Sequence, residues 1–337
     1  MTEACQEATA ATGAERMETT ETTASSVTAV ATTSTPSGGF DLRDEAGYRI
    51  WRERKLASAR AGADPVVVDL RDPRRLTRLE RARLLDGIAR ENYCVYRAAV
   101  ADEDPGLPVA LAAQLGLRQL DANWLAEDDG VSRIAVSDRR DERGGFVPYT
   151  DRAIGWHTDG YYHPEGRTIR GMVLHAVRTA ADGGCNRLLD HELAYLALRD
   201  VSMRHVLALM QPDVMTIPAR ADEDGVARAA RSGPVFSVEP RSGVLHMRYT
   251  ERTRSIVWKD DAATRSALAC LQDLLDDGLP WIRRVRLEPG MGVVGHNPLH
   301  ARSAFRDDPA RPRLLYRVRF IDRCTAPGGR VRFPGRA

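Results

Sequence analysis

Lysine is almost missing from this 337-residue chain: of 49 basic side chains, only Lys55 and Lys259 are lysine and the rest are arginine. So strong a bias reads as the codon signature of a GC-rich genome and points to no function by itself. Neither sign of charge is in surplus. The 47 acidic residues leave a net charge of +2, which argues against a nucleic-acid partner, because such proteins carry a basic stripe. Cysteine is sparse. Cys5, Cys94, Cys185, Cys270 and Cys324 are scattered, odd in number and form no CxxC pair. A disulfide or zinc framework is thereby disfavoured, and reduced thiols in a cytoplasmic protein are expected. No apolar run is long enough to span a bilayer, so no membrane partner is expected.

Residues 1–39 are rich in Thr, Ala, Ser and Glu and nearly devoid of large apolar side chains. Such a composition cannot bury enough surface to offset its ordering entropy, so a disordered tail is expected. It also lacks the basic start and apolar core of a secretory signal. Residues 40–337 have ample apolar content for a buried core and are read as a single domain.

Short elements follow one another through that domain. Trp51–Ala59 reads as a helix and Pro65–Leu70 as a strand. Thr77-Arg78-Leu79-Glu80 has the form of a capping box opening a helix through Arg90. Tyr93–Tyr96, Phe146–Tyr149, Gly171–His175 and Met291–Val294 read as strands or their edges, and Pro108–Leu115 and His191–Leu198 as helices. Val235–Val238 and Val244–Met247 flank Pro240–Gly243 as a hairpin. Leu268, Leu271, Leu274 and Leu275 mark a helix over Ala262–Asp277. Two polar segments, Ala126–Gly145 and Ala219–Gly233, are candidate lids, since long loops are commonly functional. No internal repeat is present. Many short strands with inserted helices make the fold mainly β, and fit the double-stranded β-helix, the jelly-roll architecture also found in cupins.

Two short stretches carry the chemistry: Trp156-His157-Thr158-Asp159-Gly160 and Asn297-Pro298-Leu299-His300-Ala301-Arg302. His157 and Asp159 are two apart, so on a strand both project from one face. A remote His300 can complete a two-His, one-carboxylate triangle on one side of a metal, leaving other positions open, as suits ferrous iron in oxygenases. Taken singly, an HxD is more often a surface Asp beside an ordinary His. Arg313 follows His300 by thirteen residues and opens the apolar strand Leu314-Leu315-Tyr316.

This order of parts resembles the Fe(II)/2-oxoglutarate-dependent dioxygenases of the TauD/TfdA (taurine dioxygenase-like) family, from about Trp51 to Asp322. The resemblance implies that His157, Asp159 and His300 are catalytic iron ligands and that Arg313 pairs with the distal carboxylate of 2-oxoglutarate. A planar guanidinium suits that task through two parallel charge-assisted bonds. Arg317 matches a position that contacts an anionic substrate in some members. Asp182-Gly183-Gly184-Cys185-Asn186 matches the family's Gly-Gly-acidic-Thr turn, with Cys185 in place of the acid and Asn186 in place of the Thr that helps hold the cosubstrate. An Asn amide N–H can still donate to a carboxylate. The implied reaction takes Fe(II), 2-oxoglutarate and O2, yields succinate and CO2, and hydroxylates an unactivated C–H of a small polar, amino-acid-like or anionic metabolite. Desaturation and ring closure are variants of that outcome. Retention of Asp159 disfavours halogenation, because related halogenases carry a small residue there.

Other residues keep two readings. Tyr161 is the better choice than Tyr162 to face the pocket if the strand continues past Asp159. Arg248, Arg252 and Arg254 are either a solvated face or a basic wall for a substrate anion, with Arg248 the substrate candidate. His296 is a rival ligand, but more in keeping with a supporting or exposed role. Trp156 suits the core. Two alternatives remain beside the oxygenase: a metal-dependent hydrolase or isomerase using the same triad, which would not need Arg313, and a non-catalytic small-molecule-binding jelly roll. Homo-oligomerisation is left open.

Overall fold

Strand alternation organises the centre of the molecule into two facing sheets, the largest of six among the described residues. The computed structural model describes residues 39–325, apart from residues 60–61, 63, 101, 122–128, 138–145, 223–224, 241, 253–255 and 277. The larger sheet has six strands in the order Val67–Leu70, Tyr93–Ala98, Met291–Gly295, Gly171–Arg178, Leu314–Phe320 and Ser132–Ile134. Its first pair is parallel and every other pair antiparallel. The smaller sheet has four antiparallel strands in the order Arg283–Val285, Asn186–Leu189, Leu299–Arg302 and Ile154–His157.

Side chains two apart share a face, and the apolar residues sort accordingly. On Leu314–Phe320, Leu314, Tyr316, Val318 and Phe320 pack towards Leu84, Ile88, Leu111 and Ala112 of the helices Arg78–Glu91 and Gly106–Gln114. Leu315 faces the other way, into an inter-sheet core with Leu174, Val293, Leu188 and Val285. The outer face of the smaller sheet, including Trp156, Leu299 and Ala301, is covered by helices His191–Val201, Met203–Leu209 and Ala262–Asp276. The layers therefore run helix, sheet, sheet, helix. Arg317 and Arg319 share the inward face with Leu315, so one strand directs two arginines between the sheets.

Local signals hold where local physics suffices. The Thr77 hydroxyl accepts from the Glu80 N–H at 3.2 Å, and the Glu80 carboxylate accepts from the Thr77 N–H at 2.6 Å. The hairpin of Phe236–Val238 with Leu245–Met247 is antiparallel as expected. The first helix starts earlier, at Glu45, where the Asp44 carboxylate accepts from the Gly47 N–H.

Three expectations are corrected. Val147–Tyr149 is a 3-10 turn rather than a strand, since Pro148 has no N–H to give a ladder. The second candidate lid holds the strands Arg220–Asp222, Gly225–Arg228 and Arg231–Gly233, the last paired with Met215–Ile217. Gly39 is buried, and a Cβ there would lie 2.6 Å from the Trp51 ring, so the folded part begins before residue 40. Residues 1–38 lie outside the described residues, as do 126–128 and 138–145 of the first candidate lid. Its middle supplies the edge strand Ser132–Ile134. Among the described residues, no helix is long and apolar enough to cross a membrane.

Candidate metal centre

His157 and His300 face each other directly across an antiparallel strand pair. Their ring centroids lie 4.1 Å apart. Each ring is oriented by its own strand: His157 Nδ1 lies 3.0 Å from the Gly155 carbonyl oxygen and His300 Nδ1 lies 2.9 Å from that of Pro298. A carbonyl only accepts, so both Nδ1 atoms carry the proton and both Nε2 atoms keep a lone pair for a metal. Burial holds both imidazoles neutral: His157 is pushed down to about 3 by burial and by His300 beside it, and His300 is lowered chiefly by burial.

Asp159 completes the group, though not as strand geometry predicts. The strand ends at His157, and Asp159 sits in the turn beyond it. Tertiary contacts, not the pleat, bring its carboxylate back, and one oxygen atom of it lies with the two histidine nitrogens in a set all within 4.8 Å of one another. Arg317 Nη1 donates to Asp159 Oδ1 at 3.0 Å, while Oδ2 is buried with no hydrogen-bond partner among the described residues. Burial raises the Asp159 pKa, but Arg317 and Arg319 outweigh it and hold the carboxyl well below its ordinary range. Two neutral imidazoles and an ionised carboxylate with a bare buried oxygen form a donor set that fits ferrous iron.

Arg313 lies in a pocket with Thr179, Ala180, Gly183, Gly184 and Asn186. It is 5 % exposed, and its guanidinium has no hydrogen-bond partner among the described residues. Burial, then the charge of Arg302, pushes it down to about 9. A buried cation with open donors is costly unless a ligand anion completes it. Phe305 packs against both Arg302 and Arg313, whose guanidinium carbons sit 4.7 and 4.9 Å from its ring centre. Gly183 permits the close turn here, since a Cβ would meet the Ala304 carbonyl oxygen at 2.3 Å. Asn186 faces the same pocket, opposite Arg302 in the ladder. Its Nδ2 makes only long contacts, 3.5 Å to Gly184 O and 3.4 Å to Val285 O, so its donors are available to a carboxylate.

The candidate substrate residues separate. Arg317 reaches the metal ligand itself. Arg248 is not a free basic wall. Its guanidinium donates to the carbonyl oxygens of Tyr161 at 2.6 Å, Met215 at 2.9 Å, Gly233 at 3.2 Å and Arg231 at 3.1 Å. Those bonds tie the segment after Asp159 to the strands beside it, which corrects Arg248 from substrate contact to backbone clamp. Arg254 lies outside the described residues. Tyr161 and Tyr162 lie on a turn, so strand alternation does not sort them. The Tyr161 hydroxyl accepts from Arg252 Nη1 at 3.4 Å, and the Tyr162 hydroxyl accepts from Arg319 at 2.8 Å. His296 Nδ1 faces the Asn92 side chain at 3.1 Å and lies outside the metal-ligand group. Trp156 is fully buried in the core.

Arg319 is the contributor that sequence reading passed over. It is 3 % exposed and donates to Asp121 Oδ2 at 2.7 Å. Asp121 also accepts from Arg167 at 2.8 Å and contacts His163 Nε2 at 3.1 Å. His163 and Arg167, in the segment following Asp159, are thus both fastened to Asp121. The signal for Arg319 was its spacing of two from Arg317 on a strand; nothing local marks Asp121.

Comparison with known proteins agrees with this geometry. Residues 53–319 match the family described as taurine catabolism dioxygenase TauD, TfdA. A uridine-5'-phosphate dioxygenase of Streptomyces sp is 30 % identical over 220 residues, covering 62 % of this chain and 76 % of that protein. Among solved structures, the non-haem iron oxygenase OrfP with Fe and alpha-ketoglutaric acid superposes with a TM-score of 0.54 at 18 % identity, over 74 % of this chain and 81 % of that one. An asparagine oxygenase in complex with Fe(II), 2S,3S-3-hydroxyasparagine and succinate gives 0.53 at 17 % identity, over 86 % of each chain. These two likenesses concern the fold. With the family matched over most of the chain, the hydrolase, isomerase and binding-protein alternatives fall away. The chain belongs to the TauD/TfdA family and is an oxygenase dependent on iron and 2-oxoglutarate.

Proposed function

We propose that the protein hydroxylates an unactivated C–H bond of a small anionic metabolite, with a nucleoside 5'-phosphate the first substrate class to test. The observation that carries this reading is the pairing of two features: His157, Asp159 and His300 converge with Asp159 Oδ2 bare, and Arg313 waits buried and unpaired in a pocket. The uridine-5'-phosphate dioxygenase relative supports the nucleotide class over the amino-acid one, being nearer in sequence than the amino-acid oxygenases are. The two facing sheets are read as the halves of a double-stranded β-helix, and the folded residues as one catalytic domain.

Each residue then has a task. His157, Asp159 and His300 would hold the iron through two imidazole nitrogens and one carboxylate oxygen. Bound iron and 2-oxoglutarate supply the oxidation: one atom of O2 ends in succinate, the other in the hydroxylated product, with CO2 released. Arg313 grips the distal carboxylate of 2-oxoglutarate, helped by the Asn186 amide. Arg317, which holds the Asp159 carboxylate, is a candidate contact for an anionic substrate group. Tyr161, following the metal turn, is a second candidate contact. Burial of the histidines and arginines keeps water from competing for these charges.

The test is anaerobic titration with Fe(II) and 2-oxoglutarate, reading the weak visible band of a metal-chelated keto acid. Wild type is compared with His300→Ala and Arg313→Ala. The band is expected in wild type, absent in His300→Ala and displaced to high cosubstrate concentration in Arg313→Ala. Succinate release is then screened with uridine 5'-phosphate beside L-arginine and L-asparagine. A response to the amino acids alone would overturn the substrate class, and no band in metal-loaded wild type would overturn the site.

A further inference from the structure

Asp159 is a metal ligand that no strand holds, and its backbone is gripped by a single remote side chain. Asn297 Oδ1 accepts from the Asp159 N–H at 2.8 Å, and Asn297 Nδ2 donates to the Asp159 carbonyl oxygen at 2.9 Å. Nδ2 also donates to the Ile169 carbonyl oxygen at 2.9 Å. The amide is 2 % exposed, so these bonds have no water to replace them. Asn297 has φ +54, a left-handed conformation that asparagine tolerates better than other side chains.

The position of Asn297 gives the contact its significance. It lies in the turn between Met291–Gly295 and Leu299–Arg302, three residues before His300. The next residue, Pro298, supplies the carbonyl that fixes the His300 tautomer. One turn therefore sets the backbone of the carboxylate ligand and the orientation of the distal imidazole. Arg317 holds the Asp159 carboxylate from the other side. No other side-chain type reproduces the grip. Aspartate would face two carbonyls with an acceptor, glutamine is a methylene too long, and a residue without an amide leaves one N–H and two C=O groups buried and unpaired.

We propose that Asn297 is a positioning residue for the metal centre: it fixes where Asp159 stands relative to His300 and thereby sets metal affinity and coordination geometry. The inference rests on the assignment of His157, Asp159 and His300 as the ligands. A rival is a plain structural staple between the Asp159 and Ile169 segments, which would affect stability alone.

Co(II) is the probe, because its visible d–d bands report coordination geometry independently of turnover. Wild type, Asn297→Gly, Asn297→Asp and a destabilised core control, Leu271→Ala, are titrated with Co(II), and each metal-free protein is melted. Glycine accepts the positive φ, so Asn297→Gly removes the amide without adding backbone strain. Expected are Co(II) binding about 10–100-fold weaker in both Asn297 variants, with altered d–d bands, and wild-type affinity and bands in Leu271→Ala despite a lowered melting temperature. Asn297 variants that melt earlier yet bind Co(II) with wild-type affinity and bands would overturn the proposal. Failure of both Asn297 variants to fold while Leu271→Ala folds would equally assign Asn297 to stability. Absence of Co(II) binding in wild type would instead sink the ligand assignment.

Discussion

Arg317 and Asp159 stand 3.0 Å apart, the guanidinium on one carboxylate oxygen while the other oxygen is bare. The pairing orients the carboxylate and keeps it ionised inside the protein. Without Arg317 the largest charge opposing burial is lost and Arg319 is left to offset it, so the Asp159 pKa rises and protons compete with metal at a higher pH. Arg317→Met is expected to weaken Co(II) binding on the order of tenfold or more at pH 5 and much less at pH 8. Titrations at the two pH values check this; an equal loss at both would mean that Arg317 acts through shape alone.

Arg313 is separate from the ligand group, so its removal divides cosubstrate binding from metal binding. Hydrogen bonds to charged groups contribute about 1.5–3 kcal/mol, so Arg313→Ala should weaken 2-oxoglutarate about tenfold to a hundredfold. Metal affinity should stay at the wild-type value. Asn186→Ala, which removes a neutral donor, should cost less than about tenfold. Anaerobic titration of the visible band measures both. A larger loss in Asn186→Ala than in Arg313→Ala would reverse the assigned roles.

Arg248 joins four carbonyl oxygens from three segments of the chain. Burial lowers its pKa to about 10, so it stays charged at neutral pH. Arg248→Met should therefore destabilise the fold by about 3 kcal/mol, since several acceptors lose their donor at once. Chemical denaturation measures the change. Cosubstrate binding by the folded protein should be unaffected, and full stability in Arg248→Met would return that residue to the substrate side.

His175 supplies a pH dependence away from the metal. It is 0 % exposed, its Nδ1 lies 3.0 Å from the Tyr96 hydroxyl, and burial, with the charge of Arg74, pushes its pKa down to about 4. The unfolded chain binds a proton near pH 6.5 that the folded chain takes up only near pH 4, so stability falls as pH drops through that window. The loss approaches about 3 kcal/mol at its acid end. Denaturation curves between pH 7 and 4 should show a shallower decline in His175→Gln than in wild type; identical slopes would exclude His175 as a source. His157 is depressed in the same direction, so its imidazole stays neutral to lower pH than an ordinary imidazole pKa allows.

Short-range physics was written in the chain. The Thr77–Glu80 box, the hairpin around Pro240–Gly243 and the leucine spacing of Ala262–Asp276 each depend on residues a few positions apart, and each formed where expected. The ligand types were legible as well, because only certain side chains bind iron and their order along the chain carried a resemblance. Tertiary structure decided what those residues touch. Strand geometry reaches His157 and stops; Asp159 is returned to the metal group by Asn297, 138 residues away, and by Arg317, 158 residues away. Arg248 read as a candidate for an anion, yet it meets backbone carbonyls that no local pattern could reveal. Arg319 and Asp121 pair across 198 residues in the same way. Propensity and periodicity act over neighbours, whereas the partner of a buried charge is whichever group the packed sheets bring within about 3 Å of it.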